Sequence, residues 1–339
     1  MSSQCEDSIP HELRTAAEPR QNRLYPVRLS HVELVNPSIR LLRFTIPTQE
    51  NDDDNGLEQP FTFLPGQWLD VHIPSIPTAG GFTITSTPAD AQTLPSPEVH
   101  AEPLQLLGEV EAGSSIPSQG REPFVELAVQ DSPANPPAAW LWKPKSEIIG
   151  KEVNIRVGGS FVWPPTGVDL QKIKNVVFIA GGVGINPLIS ILSYLNNQSE
   201  DSHPLNIHFL YSSRLPQGPE TASPDELLDQ ILFLPRIRQI IRSQRQSHRL
   251  RISLDLYLTD STSSRLSPAK CPADLTIHSR RISKQDLQSA VLGGDGKLDP
   301  RESVAYVCGP PQMTDKMIEL LKDVLGKGGE ERVFFEKWW

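Results

Sequence analysis

Lys174-Asn-Val-Val-Phe-Ile-Ala is a β-rich apolar run that enters Gly181-Gly182-Val183-Gly184-Ile185-Asn186-Pro187 and continues with Leu188, Ile191, Leu192 and Leu195 on one helical face. A buried strand, a glycine turn and an amphipathic helix in succession commit this half of the chain to α/β layers. The glycines let the backbone turn sharply and approach a phosphate without a Cβ in the way. The helix N-terminus offers free N–H groups, and Pro187 suits a first helical turn, where its missing N–H costs nothing. Residues 176–195 also have the length of a membrane span. The glycines, Asn186 and Pro187 at their middle argue for strand–turn–helix instead.

The same signature recurs. Residues 303–308 read as a strand ending in Cys308-Gly309-Pro310-Pro311, followed by a helix with Met317, Leu320, Leu321 and Val324 inward. Residues 205–211 and 250–258 supply two more strands, and residues 225–243 read as helical with a break or kink at Pro235. Strands alternating with helices predict a Rossmann-like parallel sheet, with both turns at its carboxyl edge, where ligands bind. Each turn also has a plainer reading, as a sheet turn without a ligand and a small buried thiol at Cys308.

The first half has a period of two. In Trp68-Leu-Asp-Val-His-Ile, Leu69, Val71 and Ile73 face one way, with Trp68, Asp70 and His72 the other. Residues 25–35, 39–46, 124–129 and 153–157 behave alike, and Pro and Gly turns separate them, which predicts a small antiparallel barrel. The fold class expected is therefore an antiparallel barrel followed by a Rossmann-like parallel α/β domain. The divisions expected are a disordered tail over residues 1–23, a barrel over 24–165 and the α/β domain over 166–339. Residues 89–122, rich in Pro, Ser and Glu, read as a disordered insertion in the barrel.

A formal net charge of -9 argues against a general nucleic-acid surface. Cys5, Cys271 and Cys308 are too few for an iron–sulfur cluster, which usually takes four thiolates, and no close Cys–His pairing suggests a metal site. Glu6, Asp7, Glu12 and Glu18 make the first residues unlike a mitochondrial leader, and no apolar stretch there makes a secretory signal. The expectation is an intracellular protein without an integral membrane segment, the cytoplasm favoured over mitochondria.

Taken in order, Gly81-Phe82-Thr83-Ile84-Thr85-Ser86, the glycine turn and the Cys308 turn resemble the ferredoxin–NADP⁺ reductase superfamily and, within it, the oxidoreductase NAD-binding domain-containing proteins. That resemblance implies an FAD-binding barrel and a domain for NADH or NADPH. It implies that Gly181, Gly182, Gly184, Asn186 and Pro187 line the dinucleotide and that Cys308 and Gly309 lie beside the nicotinamide. Asn186 stands where the family often has Thr or Ser. Glu336 and Trp338 match a terminal Glu followed two places on by an aromatic that covers the flavin, with Trp339 one residue beyond. Gly80-Gly81-Phe82-Thr83 stands where the family usually has Arg-x-Tyr-Ser. Phe82 would then pack on the flavin ring and Thr83 would present a hydroxyl, with Ser86 in the same cofactor-binding stretch. Gly80 cannot supply the arginine's fork to a pyrophosphate; Arg121, Arg156 and Lys143 are its conceivable substitutes.

The implied reaction is hydride transfer from NAD(P)H to FAD, with Thr83, Cys308 and Glu336 near the hydride path and electrons passing to an unidentified acceptor, a protein among the choices. The alternative is a non-catalytic nucleotide sensor or scaffold on a reductase fold that has lost tight flavin binding. Tyr211-Ser212-Ser213-Arg214 carries no acid for a ribose 2′-hydroxyl, so Arg214 could hold a 2′-phosphate; the family name inclines the choice slightly to NADH.

Overall fold

The structure is a computed structural model that describes residues 10–47, 60–93, 121–199, 202–216, 222–247, 249–259, 274–293 and 296–337. Its first sheet contains β1 (Tyr25–Asn36), β2 (Ile39–Thr45), β3 (Trp68–His72), β4 (Gly80–Thr83), β5 (Phe124–Gln130) and β6 (Glu152–Gly158). The order is β4-β3-β6-β1-β2-β5, antiparallel throughout. An Ile84–Leu127 bridge joins the two ends, so the sheet closes as a barrel. Leu69 pairs with Val157 and Val71 with Ile155, and these four side chains are fully buried in one apolar cluster. The alternation expected for β3 is thus kept. Two short helices, α2 (Pro136–Leu141) and α3 (Lys145–Ile148), lie between β5 and β6.

The second sheet contains β7 (Asn175–Gly181), β8 (Leu205–Ser213), β9 (Leu250–Leu258), β10 (Thr276–His278), β11 (Ser303–Gly309) and β12 (Val333–Lys337). All are parallel, in the order β10-β9-β8-β7-β11-β12. Helices α4 (Ile185–Asn196), α5 (Pro224–Asp229), α6 (Leu234–Ser247), α7 (Lys284–Leu292) and α8 (Pro311–Leu325) connect and cover it. The helical reading across Pro235 resolves into α5 and α6, with the proline in the first turn of α6. Strand order reverses between β7 and β11, which puts the ligand-binding crevice of such a sheet at the ends of these two strands. The proposed domain boundary near residue 165 falls between β6 and β7.

The two halves are tied together. The Tyr306 hydroxyl donates to the Val162 carbonyl at 2.8 Å, and its ring meets Phe161 edge-on. Ser190 Oγ on α4 donates to the Ser86 carbonyl at 2.8 Å. Arg236 on α6 reaches the buried Glu126 of β5 at 2.9 Å, and Thr85 and Arg43 also bond that carboxylate.

Residues 10–23, expected within a disordered tail, are instead ordered along the barrel. They contain the single turn α1 (His11–Arg14). Arg20 bridges to Gly158, Gln21 N donates to Val157 O and Gly159 N donates to Pro19 O. Polar bonds to β3, β6 and the turn after β6 hold this stretch, so an apolar pattern could not announce it. Residues 1–9 and most of the expected insertion, 94–120, lie outside the described residues. Among the described residues no helix is long and apolar enough to cross a membrane.

Candidate functional site at the carboxyl edge of the parallel sheet

In-register pairing aligns Ala180 of β7, Cys308 of β11 and Glu336 of β12 across three neighbouring strands. The glycine turn and the Cys308 turn therefore meet, and they meet through backbone. A Cβ on Gly184 would lie 2.1 Å from the Cys308 carbonyl oxygen and 2.8 Å from Gly309 N. A Cβ on Gly181 would lie 2.5 Å from Met313 Sδ. Gly182 differs: it holds φ +55°, and a Cβ there would meet nothing within 4 Å. The turn thus presents open space just ahead of the N-terminus of α4, a cradle that a larger residue would fill.

Asn186 and Pro187 are buried in the first turn of α4. Asn186 Nδ2 donates to the Ala128 carbonyl of the barrel at 3.0 Å, and its Oδ1 is enclosed without a hydrogen-bond partner. Its amide is thus spent on joining the halves rather than turned wholly to a ligand. Cys308 is fully buried in the apolar cluster of the α/β domain. Gly309 directs its carbonyl to Thr314 Oγ1 at 3.0 Å. Arg214 lies just past the end of β8 with its side chain exposed, and its carbonyl accepts from Ser213 Oγ. Trp338 and Trp339 lie outside the described residues.

Glu336 is the perturbed acid of this edge. Its Oε2 is enclosed without a partner. Burial first, and then the charge of Glu18, pushes its carboxyl up from 4.5 to about 8, so it holds its proton at neutral pH. The sign for stability follows. Below 4.5 both folded and unfolded chains are protonated here; as pH rises toward 8 only the unfolded chain ionises freely, and stability is lost across that window. Glu336→Gln is expected to be more stable than the parent at the alkaline end and to lose that advantage at the acid end. Urea denaturation at both ends checks this.

On the barrel, Phe82 pairs with Leu69 and joins the interior apolar cluster, so its ring is not offered to a cofactor outside. The sequence expectation is corrected by register: residues 80 and 82 share the face of Leu69 and Val71, leaving Gly81 and Thr83 on the face of Asp70 and Trp68. The position where a Gly80 side chain would emerge is closed by Pro137, 2.5 Å from its ideal Cβ. Ser86 is committed internally, its Oγ accepting from Glu126 N and its carbonyl from Ser190. Arg121 pairs with Asp90 and Arg156 with Asp70, so neither guanidinium stands free to replace the missing arginine.

The residues that sequence reasoning missed are Asp70 and two of its partners, His11 and Arg20. The Asp70 side chain is fully buried, although it faces out from the barrel. His11 Nε2 reaches it at 3.0 Å, Arg20 Nε at 3.0 Å, and Arg156 Nε and Nη2 at 2.9 and 2.7 Å. Burial opposes its charge, but hydrogen bonds from His11, Arg156 and Arg20 outweigh it and hold the carboxyl at about 2. The only signal in the sequence was an acid among apolar residues in a strand.

No family model matches the chain. A Xenopus laevis protein named oxidoreductase NAD-binding domain-containing protein 1 is 30% identical over 337 residues, covering 97% of this chain and 84% of that protein. The chain belongs to the oxidoreductase NAD-binding domain-containing protein 1 family. Its Danio rerio member is 29% identical over 335 residues, covering 97% of each. Among solved structures, a ferredoxin NADP⁺ reductase from Neisseria gonorrhoeae with bound FAD and NADP aligns with a TM-score of 0.56 at 13% identity, covering 94% of this chain and 99% of that one. That likeness establishes the ferredoxin reductase-like fold.

Proposed function

We propose that the chain binds NAD(P)H at the ends of β7 and β11 and acts as an oxidoreductase on that nucleotide. The observation that carries this reading is the convergence of an open glycine cradle at Gly182, the N-terminus of α4, Cys308 and Glu336 on one sheet edge. In this reading the pyrophosphate lies over Gly181, Gly182 and Gly184, and the nicotinamide beside Cys308 and Gly309. Glu336, at the same edge, is a carboxyl raised by burial that can hold a proton beside the nucleotide. NADH is favoured over NADPH, with exposed Arg214 the residue that would reverse the preference.

FAD is the hydride acceptor that the family likeness implies, with a further acceptor beyond it; when bound, it supplies two-electron chemistry. The residues present do not fit it in the arrangement described. Phe82 is turned inward, Pro137 closes the position of the family arginine, and residues 11–20 cover the face beside Thr83. That covered face also favours a second reading, a nucleotide-binding protein that works without flavin. Absorbance spectra with FAD added to saturation separate the two: a bound-flavin band supports the first, and a protein that binds NADH but takes up no FAD supports the second.

Calorimetric titration of NADH into the parent and into Gly182→Val tests nucleotide binding. A β-branched residue is strained at φ +55° and fills the cradle. Affinity is expected to fall about tenfold or more with the fold intact. Equal affinity in the two proteins would put the nucleotide elsewhere.

A further inference from the structure

We propose that residues 11–20 are an intramolecular plug that competes with flavin for the outer face of β3 and β4, so that FAD binds when this segment is displaced. The inference rests on the oxidoreductase reading above, and it accounts for one part of the cofactor's misfit, the covered face beside Thr83.

Shape is the first support. The His11 ring occupies the space that Gly81 leaves: a Cβ on Gly81 would lie 2.1 Å from His11 Cε1 and Nδ1. The same ring meets Trp68 edge-on at 4.6 Å, and the Arg20 guanidinium lies over Trp68 at 4.9 Å. Gly81 and Trp68 share a face with Thr83, the residue whose hydroxyl the family likeness turns toward flavin. An aromatic ring and a planar cation thus already cover the surface against which a flavin would lie.

Charge is the second. Asp70 receives His11 and Arg20 from the plug and Arg156 from β6. At the far end Glu18 Oε2 accepts from Ser160 N at 3.0 Å and Ser160 Oγ at 2.6 Å, beside Gly159 at φ +100°. Glu18 therefore sits on these donors as an anion would, and its departure frees them for an anionic group such as a flavin phosphate. Glu18 also lies close enough to raise the Glu336 carboxyl, so the plug spans from the barrel face to the nucleotide edge.

The mode of attachment makes the plug removable. Every residue from 11 to 20 is half-buried or exposed, and Leu13 is 68% exposed. No apolar anchor fixes the segment. Opening these polar contacts leaves the barrel core intact, because that core does not include these residues. Asp70 keeps Arg156 when the plug leaves, so its charge stays paired.

The test uses two full-length variants, His11→Ala/Arg20→Ala and Glu18→Ala, which alter the plug without touching either core. FAD fluorescence quenching on titration with flavin-free protein gives the affinity, and NADH affinity is measured on the same samples. The double variant is expected to bind FAD about tenfold or more tightly than the parent, and Glu18→Ala to shift the same way. Unchanged or weaker FAD affinity in both folded variants overturns the plug, as does failure of all three proteins to bind FAD. Loss of NADH binding throughout would refute the proposed function while leaving the FAD comparison to decide the plug on its own.

Discussion

Asp70→Ala is expected to destabilise the chain by about 3–5 kcal/mol, the usual cost of removing one partner from a buried ionic cluster. The Asp70 side chain is fully buried and takes bonds from two arginines and a histidine. Alanine leaves Arg20 and Arg156 facing one another without the carboxylate between them, while their side chains are only 15% and 27% exposed. The loss should appear in the midpoint of urea unfolding at neutral pH. Because the folded carboxyl sits near 2, below its ordinary 3.8, the stability it contributes is present above 3.8 and is lost as pH falls through 2. The difference between parent and variant should therefore shrink across that acid window. A constant difference would mean that the cluster acts through packing rather than charge.

Gly184→Val should be comparably damaging for a different reason. The first added carbon would lie 2.1 Å from the Cys308 carbonyl oxygen, and the next neighbours are also backbone, so no side chain can swing aside. Relief requires the Gly184 turn and the end of β11 to separate. Overpacking of this kind costs about 1–3 kcal/mol and occasionally more, and the upper end is expected here. NADH binding should be lost together with stability, whereas Gly182→Val should weaken binding with a smaller loss of stability, from backbone strain at φ +55° and no steric clash. If Gly184→Val melted like the parent, the close approach of the two turns would be wrong.

The α/β half was legible because its signals are local. A strand, a glycine turn and a helix lie within some twenty consecutive residues, and the pattern occurs twice. The barrel was legible through the alternation of Leu69, Val71 and Ile73. The outward set was not: Trp68 and Asp70 read only as the face opposite Leu69, Val71 and Ile73, yet both are buried by a segment that begins at His11, 59 positions before Asp70. No apolar period marks that segment, because hydrogen bonds and ion pairs hold it. Phe82 was expected against a flavin from its place in a motif, but pairing with Leu69 decides its direction, and that register depends on the whole barrel. Asn186 was read as a ligand residue from the family likeness, while its partner Ala128 comes from the other half of the chain.

Hydrogen exchange with and without saturating NADH tests the central claim most directly, because it reports where the nucleotide lies. Protection is predicted in the segments containing Gly181 to Ile185 and Cys308 to Gly309, at the carboxyl edge where β7 and β11 end. Binding without protection there, or protection confined to another part of the sheet, would contradict the assignment of this edge as the nucleotide site.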